Sequence, residues 1–506
     1  MTDKAGEHLP TRITSKTFAI GIFQFTVKNG HGHIDGIYRE GLINLLIKLG
    51  CSKRYQNANV YMYIFMQDNI IYQVEISHIR DAVSFYMENL QDIDVEHKGI
   101  RFMATSEKQK ETILRNSPSL FNNAILGHLP NHTTPILQDT KTEMFFPFVN
   151  CVVRVTKDSV DVLDYSDLQD VCIWKDHIIK REVYITEDYQ QAQFAAFIKN
   201  VSTNQDKNDT DKDRETAMKT ALGYLIHNHS NPTTARAVIA YDEQLTGRGE
   251  PVGGTGKGVY IQACSQLSNT ATIDGKKVKS ENQFSYQVVT PLTQIIAFDD
   301  VKPDFDFLML NSNLTSGWQI EQKNKPPFRF TQQNNPKTYI TSNAILKGEG
   351  TTTTRRQFII EFSPFYSKLI KQGVEPIIRT HKAMFFSDDW DQAEWNRFFT
   401  YMFMCGRKYL TEGLQFYSYR SVSQNKLMQY TSDDFSEWIG KAKLSTQEKF
   451  NITELFTEFK SQYYGMDSDF KQRTFTNYLK TYALTMDWKL STTRSNHNTI
   501  GIFNPK

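Results

Sequence analysis

Pro251-Val-Gly-Gly-Thr-Gly-Lys-Gly258 reads as a phosphate-gripping loop between a buried strand and a helix. Successive glycines let backbone N–H groups converge on one concavity, and the helix N-terminus that follows adds partial positive charge, so polyphosphate oxygens can sit there. Gly253, Gly254, Thr255, Gly256, Lys257 and Gly258 are the candidate phosphate-binding residues, with Lys257 reaching the β- and γ-phosphates. Upstream, Ala237-Val-Ile-Ala-Tyr241 is an apolar run of strand type; downstream, Val259 to Leu267 has helical apolar spacing. Two positions depart from the usual G-x-x-x-x-G-K-[ST] pattern. Pro251 stands at the first glycine, and Gly258 stands where a Ser or Thr hydroxyl would touch Mg²⁺. On its own the stretch also reads as a plain glycine-rich turn.

Three later stretches give the loop company. Thr293-Gln-Ile-Ile-Ala-Phe-Asp-Asp300 is an apolar strand ending in two acids. A carboxylate at a strand's C-terminal edge can hold Mg²⁺, here Asp299, while its neighbour Asp300 orients an attacking water. Lys337-Thr-Tyr-Ile-Thr-Ser-Asn343 is a second apolar strand, ending in an amide that can meet the γ-phosphate or that water. Arg355-Arg356 follows a dozen residues on, where an arginine can cross a subunit boundary and neutralise developing charge. Between the acids and Asn343, a hairpin carrying Lys323 and Lys325 can track a phosphate backbone; an exposed basic turn explains it equally well. Singly, Asn343 reads as a turn cap and the arginines as solvated.

Composition sets the limits. The 506 residues suffice for about three domains. With 39% hydrophobic and 23% charged residues the chain is of ordinary globular type. No stretch nears the roughly 18 apolar residues of a membrane span, and Met1-Thr-Asp-Lys-Ala-Gly-Glu7 lacks the apolar core of a secretion signal, so a cytoplasmic location is expected. Five scattered cysteines without a C-x-x-C pair argue against a zinc ribbon or a disulfide framework. The net charge of +2 gives a weak global field, so any nucleic-acid contact needs local basic groups.

The remaining segments read more plainly. Residues 17–90 form an α/β unit with strands Phe18–Val27, Val60–Gln67 and Ile70–Glu75, and a helix capped by Ser77. His31 and His33 fall in a solvated loop; Asp92, Asp94, Glu96 and His97 read as a polar surface strand rather than a two-carboxylate metal site. Val152–Thr156 and Val160–Leu163 are hairpin strands, Tyr189–Val201 a helix, Asn204–Arg214 a linker, and Glu215–Asn228 a helix before His227 and His229. Thr272-Ile-Asp-Gly-Lys-Lys-Val278 reads as a hairpin with an Asp-Gly turn, and Trp390–Leu414 as an aromatic-rich helix. At the end, Ile452 to Tyr463 and Phe475 to Tyr482 are two apolar-faced helices before a two-stranded wing, Trp488–Phe503. Helix, helix, wing is the order of a winged helix, in which Lys471, Arg473 and Lys480 can meet phosphates or simply face water.

Together Gly253–Gly258, Ile295–Asp300, Leu314-Thr-Ser-Gly317 with Lys323, Lys337–Asn343 and Arg355-Arg356 resemble the superfamily 3 helicases, and within them the poxvirus-type primase-helicases of phages and mobile elements. The resemblance implies an α/β fold with a P-loop ATPase core of the AAA+ type, an N-terminal α/β and collar region, and a C-terminal winged helix. Its segments would be 1–135 (N-terminal α/β), 136–214 (hairpins and collar), 215–365 (ATPase core), 366–424 (helical connector) and 425–506 (winged helix). It implies ATP and Mg²⁺ as ligands, with Lys257 on the phosphates, Asp299 on Mg²⁺, Asp300 activating water, Asn343 sensing the γ-phosphate, and Arg356 or Arg355 acting from the next subunit. It implies a homo-hexamer on single-stranded and forked DNA, moving 3′ to 5′, with a separate primase or loader as a further partner, no membrane, and a bacterial host's cytoplasm. A remodelling ring ATPase and a nucleotide-binding scaffold are the other readings.

Overall fold

Five parallel strands, β1 to β5 in chain order, build the sheet that positions the glycine loop and the paired acids: Ala237–Asp242, Thr270–Asp274, Ile295–Val301, Lys337–Ser342 and Gln357–Phe362. The computed structural model describes residues 21–55, 60–204, 209–243, 253–278, 283–323, 327–346, 351–370, 375–419, 427–465, 468–486, 488–495 and 498–505. Pro251, Lys325 and the middle of the expected 204–214 linker lie outside them. The chain divides into two compact units, one of residues 1–137, 147–152 and 163–180, the other of 138–146, 153–162 and 181–506.

Sheet order in the second unit is β2-β3-β4-β1-β5, so the glycine-loop strand β1 lies between β4 and β5. Every residue of β1 and of β4 is buried, as expected of parallel strands covered on both faces. Ile239, Tyr241, Ile296, Phe298, Trp318 and Ile340 lie at the centre of the core this makes. Thr272–Val278 departs from the sequence reading. Thr270–Asp274 is the parallel edge strand β2, and Gly275–Lys277 is a single 3-10 turn in which Asp274 Oδ1 accepts from the Lys276 N–H. An Asp-Gly pair supplies a turn in either setting, and here the long-range parallel partner decides.

The helix expected from Glu215 begins at Lys212, capped by Asp211. Arg214, expected in a linker, is therefore in the first helical turn and buried, donating to the Glu361 carbonyl (2.7 and 3.1 Å) and pairing with Glu243 at 3.1 Å. The helix Gln392–Glu412 packs along Lys212–Ile226, with Phe398 and Tyr401 against Phe194 and Trp395 and Phe398 against Phe386. Beyond it come helices Asp433–Ala442, Ile452–Tyr463 and Gln472–Thr485 with strands Lys449–Asn451, Trp488–Ser495 and Asn498–Pro505, the last in the middle of an antiparallel sheet. Phe435, Trp438, Phe459, Phe475 and Phe503 pack together between them.

In the first unit, strands Cys51–Tyr55, Tyr61–Gln67 and Ile70–Val74 are antiparallel, and Ile173–Trp174 adds in parallel. Helix Ile76–Glu88 starts one residue before the expected cap Ser77, because Glu75 and His78 satisfy each other's backbone N–H in a capping box. His31 and His33 lie exposed on the strand His31–Ile37 rather than in a loop. Asp94 pairs with Arg101 across the hairpin Ile93–His97/Ile100–Ala104. No group of three or more metal-binding side chains occurs among the described residues, and no helix among them is long and apolar enough to cross a membrane. Cys51, Cys151, Cys172, Cys264 and Cys405 are all buried and unpaired.

Candidate functional site

Parallel strands end at one edge, and that edge collects what the sequence scattered over a hundred residues. After β1, Gly254 and Gly256 take left-handed backbone (φ +78° and +106°), and the helix Lys257–Ser265 starts immediately. A Cβ on Gly256 would lie 2.6 Å from the Phe197 ring, so this position needs glycine twice over. A Cβ on Gly258 would meet nothing within 4 Å. The glycine there is not a demand of packing.

From this loop a continuous set of hydrogen bonds crosses three strand ends. Thr255 Oγ1 donates to Asp242 Oδ1 (2.5 Å), and Lys257 Nζ donates to Asp242 Oδ2 (2.5 Å) and to Asn343 Oδ1 (2.8 Å). Asn343 Nδ2 donates in turn to Asp300 Oδ1 (2.9 Å), and Lys276 pairs with Asp300 Oδ2. Asp242 ends β1, Asn343 follows β4 and Asp300 is in β3, so the order along the relay is the order of the strands. The Asp242 carboxyl is buried, which raises its pKa, while Lys257 and the Thr255 hydroxyl pull it back. Truncating Asp242 would leave the lysine charge buried with only amide and carbonyl partners.

Asp299 and Asp300 lie where β3 is bulged. Phe298 faces Ile340 and Val301 faces Ser342, so one extra residue is inserted, and Asp300 takes a left-handed φ of +53°. A bulge re-aims side chains, and this one turns two adjacent acids to different partners. Asp300 reaches Asn343, while Asp299 Oδ1 accepts from Thr341 Oγ1 (2.9 Å), whose oxygen accepts from the Asp300 N–H (2.7 Å). A cleft of about 340 Å³ adjoins them, walled by Gly258, Gln262, Thr272, Asp299 and Thr341.

Lys257, Asn343 and Asp300 thus come together, with Asp299 beside them; the arginines do not join them. Arg355 ends the short helix Thr351–Arg355 and Arg356 precedes β5, both at the opposite edge of the sheet. Arg356 is buried and donates to the carbonyls of Pro232 (2.7 Å) and Ala235 (3.1 Å); Arg355 is exposed. Lys323 is exposed between the paired strands Gln319–Ile320 and Phe328–Arg329. Lys471, Arg473 and Lys480 are exposed at the start and along one side of the helix Gln472–Thr485.

Sequence reading missed Asp242 and Lys276. Asp242 had a signal, since it closes an apolar strand as Asp299 does, one residue beyond Tyr241. Lys276 had none, because its segment reads as a hairpin until the parallel pairing of β2 is known.

Fold and site define a mixed α/β protein whose parallel sheet ends in a phosphate-loop-like cluster of lysines, acids and an amide. Among solved structures, the chain is similar to the A form apo structure of the NrS-1 C-terminal region, 12% identical at TM-score 0.31, over 74% of this chain and all of that one. A 305–718 version of that region is 13% identical at TM-score 0.32, over 72% of this chain and 96% of that one. The X-ray structure of JCV helicase is 13% identical at TM-score 0.25, over 47% of this chain and 64% of that one. These similarities are too distant to carry a role across. No family model and no curated protein matches the chain.

Proposed function

We propose that the chain is an ATP-dependent DNA helicase of the superfamily 3 class, a ring of six copies that moves 3′ to 5′ on single-stranded DNA and opens forked duplex in the replication of a phage or mobile element. The observation that carries this reading is the relay Thr255–Asp242–Lys257–Asn343–Asp300–Lys276 across adjacent strand ends. Lys257, Asn343 and Asp300 are in contact in it, which supports reading them as the phosphate-gripping lysine, amide and water-orienting acid that phosphoryl transfer to water requires.

Each residue then has a task. The loop N–H groups from Gly253 to Gly258 and Lys257 hold the phosphates of ATP, Asn343 reads the γ-phosphate, and Asp300 orients the water, with Lys276 fixing its second oxygen. Asp299 keeps one carboxylate oxygen beyond the bond from Thr341, which is the hard donor that Mg²⁺ takes. Mg²⁺ would neutralise charge on the β- and γ-oxygens. Thr255, whose hydroxyl belongs to Asp242, is not the substitute for the hydroxyl that Gly258 lacks. An arginine acting on a neighbouring copy must lie away from its own site in a head-to-tail ring, and Arg355 meets that condition with its side chain exposed. Lys323 and Lys325 would follow the DNA backbone. The C-terminal helices and sheet have the order of a winged helix, in which Lys471, Arg473 and Lys480 would meet phosphates. A separate primase or loader is the expected partner, in the cytoplasm of a bacterial host.

The test is ATP hydrolysis with and without single-stranded DNA, beside unwinding of forks carrying only a 3′ or only a 5′ tail. DNA-stimulated turnover with unwinding from the 3′ tail is expected. Nucleotide and DNA binding without turnover would make the protein a scaffold, and turnover without strand separation a remodelling ring.

A further inference from the structure

Three arginines crowd the end of the sheet opposite the phosphate loop. Arg356 turns inward to the Pro232 and Ala235 carbonyls. Arg236 instead lies with its guanidinium over the Phe416 ring, 4.8 Å from the centroid, and its Nη1 donates to the Arg355 carbonyl and, at 3.4 Å, to that of Gln357. Phe416 leans on Phe358 (4.9 Å) yet is 62% exposed. Arginine ion pairs among the described residues are made by Arg101, Arg154, Arg214 and Arg397, not by these three. Burial and the neighbouring guanidiniums both lower the pKa of Arg236. A like-charged cluster around an exposed ring calls for an anionic partner.

Its own phosphate site cannot be that partner. β5 runs in register with β1, Gln357 beside Ala237 and Phe362 beside Asp242, so about 17 Å of strand separates the two ends. A second copy fits, because its site gathers Asp242, Asp299 and Asp300 against Lys257 and Lys276, and the triphosphate adds negative charge. We propose that Arg236 and Phe416 form the seat on which a second copy of the chain docks by its phosphate site, with Arg236 the positioning residue that fixes the Arg355 backbone so that its guanidinium enters that site. The inference rests on the nucleotide-hydrolysing reading above. It adds to that reading which surface makes the joint, and which residue aims the arginine.

Complementation by mixed subunits tests it. Lys257→Ala subunits lack a working site but keep the arginine edge; Arg236→Ala subunits keep the site and lose the edge. Each alone should hydrolyse ATP poorly, by on the order of tenfold or more. A one-to-one mixture should exceed the mean of the two several-fold, because some joints unite an intact site with an intact edge. Phe416→Ser, a change at a largely exposed side chain, should complement Lys257→Ala in the same way and weaken assembly with a non-hydrolysable ATP analogue in sedimentation. Arg236→Lys keeps the charge without the stacking plane and should recover only part of the activity. A mixture no better than the mean would show that Arg236 acts within its own subunit and would overturn the proposal. Unchanged assembly with lost affinity for single-stranded DNA would overturn it too, giving the edge to nucleic acid. Undiminished nucleotide binding by Lys257→Ala alone would sink the reading of the glycine loop instead.

Discussion

The two ends of one parallel sheet carry long cations in opposite circumstances. At the C-terminal end Lys257 and Lys276 are each paired with an acid, and an amide joins the two pairs. At the N-terminal end Arg236, Arg355 and Arg356 meet carbonyls, rings and one another. The difference teaches that charge type alone does not mark a role. A lysine that meets an acid has its charge balanced within the chain, and an arginine that meets only carbonyls and rings does not.

The largest effect expected from this contrast separates adjacent arginines. Arg355→Ala should lower ATP turnover on the order of 10³-fold with unchanged unfolding in urea. Arg356→Ala should instead cost about 1–3 kcal/mol of stability by leaving the Pro232 and Ala235 carbonyls unpaired. If Arg356→Ala unfolds like wild type and Arg355→Ala keeps its turnover, the two ends do not differ as described. Next, Asp242→Ala should destabilise by about 3–5 kcal/mol, because Lys257 stays buried without its counter-charge, and Asp242→Asn by less, since an amide can still accept from Lys257 or Thr255. Equal unfolding midpoints for the two variants would mean that charge balance is not what holds the loop.

A pH series sharpens the account of the buried groups. Burial holds His227 down to about 3 and His381 to about 4, and pushes the Asp139 carboxyl up to about 7. Between pH 6.5 and 4 the unfolded chain binds two more protons at the histidines, and the folded chain one more at Asp139. The balance is one proton taken up on unfolding, so these three groups together cost about 1.4 kcal/mol of stability per pH unit as pH falls. His381→Asn should flatten the curve by that amount; an unaltered slope would mean that His381 is charged in the fold. The smallest effect belongs to Gly258→Ser, for which there is room. The fold should be unchanged and the Mg²⁺ needed for half-maximal turnover should drop several-fold, about 1 kcal/mol. A rise instead would show that the glycine is required.

Much of this was legible in the sequence where a local pattern coincides with a strand end. The apolar runs closing in Asp299-Asp300 and Asn343 announce both the strand and the polar group at its tip. The order of strands is not local, and so the edge strand Thr270–Asp274 passes for half a hairpin and Lys276 goes unnoticed. Nor does sequence separate Arg355 from Arg356, because neighbours in a chain can face a core and a solvent boundary in turn. The bulge that gives Asp299 and Asp300 different partners is likewise a matter of pairing with β4 rather than of composition.

The five sequestered thiols have a practical side. Burial raises the pKa of Cys51 and Cys405 to about 12 and that of Cys264 further still, so near neutral pH these three stay protonated and slow to react. A single cysteine placed on the exposed hairpin at Lys323, or beside Phe416, would be the fast-reacting thiol against that quiet background. Fluorophores or cross-linkers could then report on subunit joints and strand passage with the native cysteines left in place.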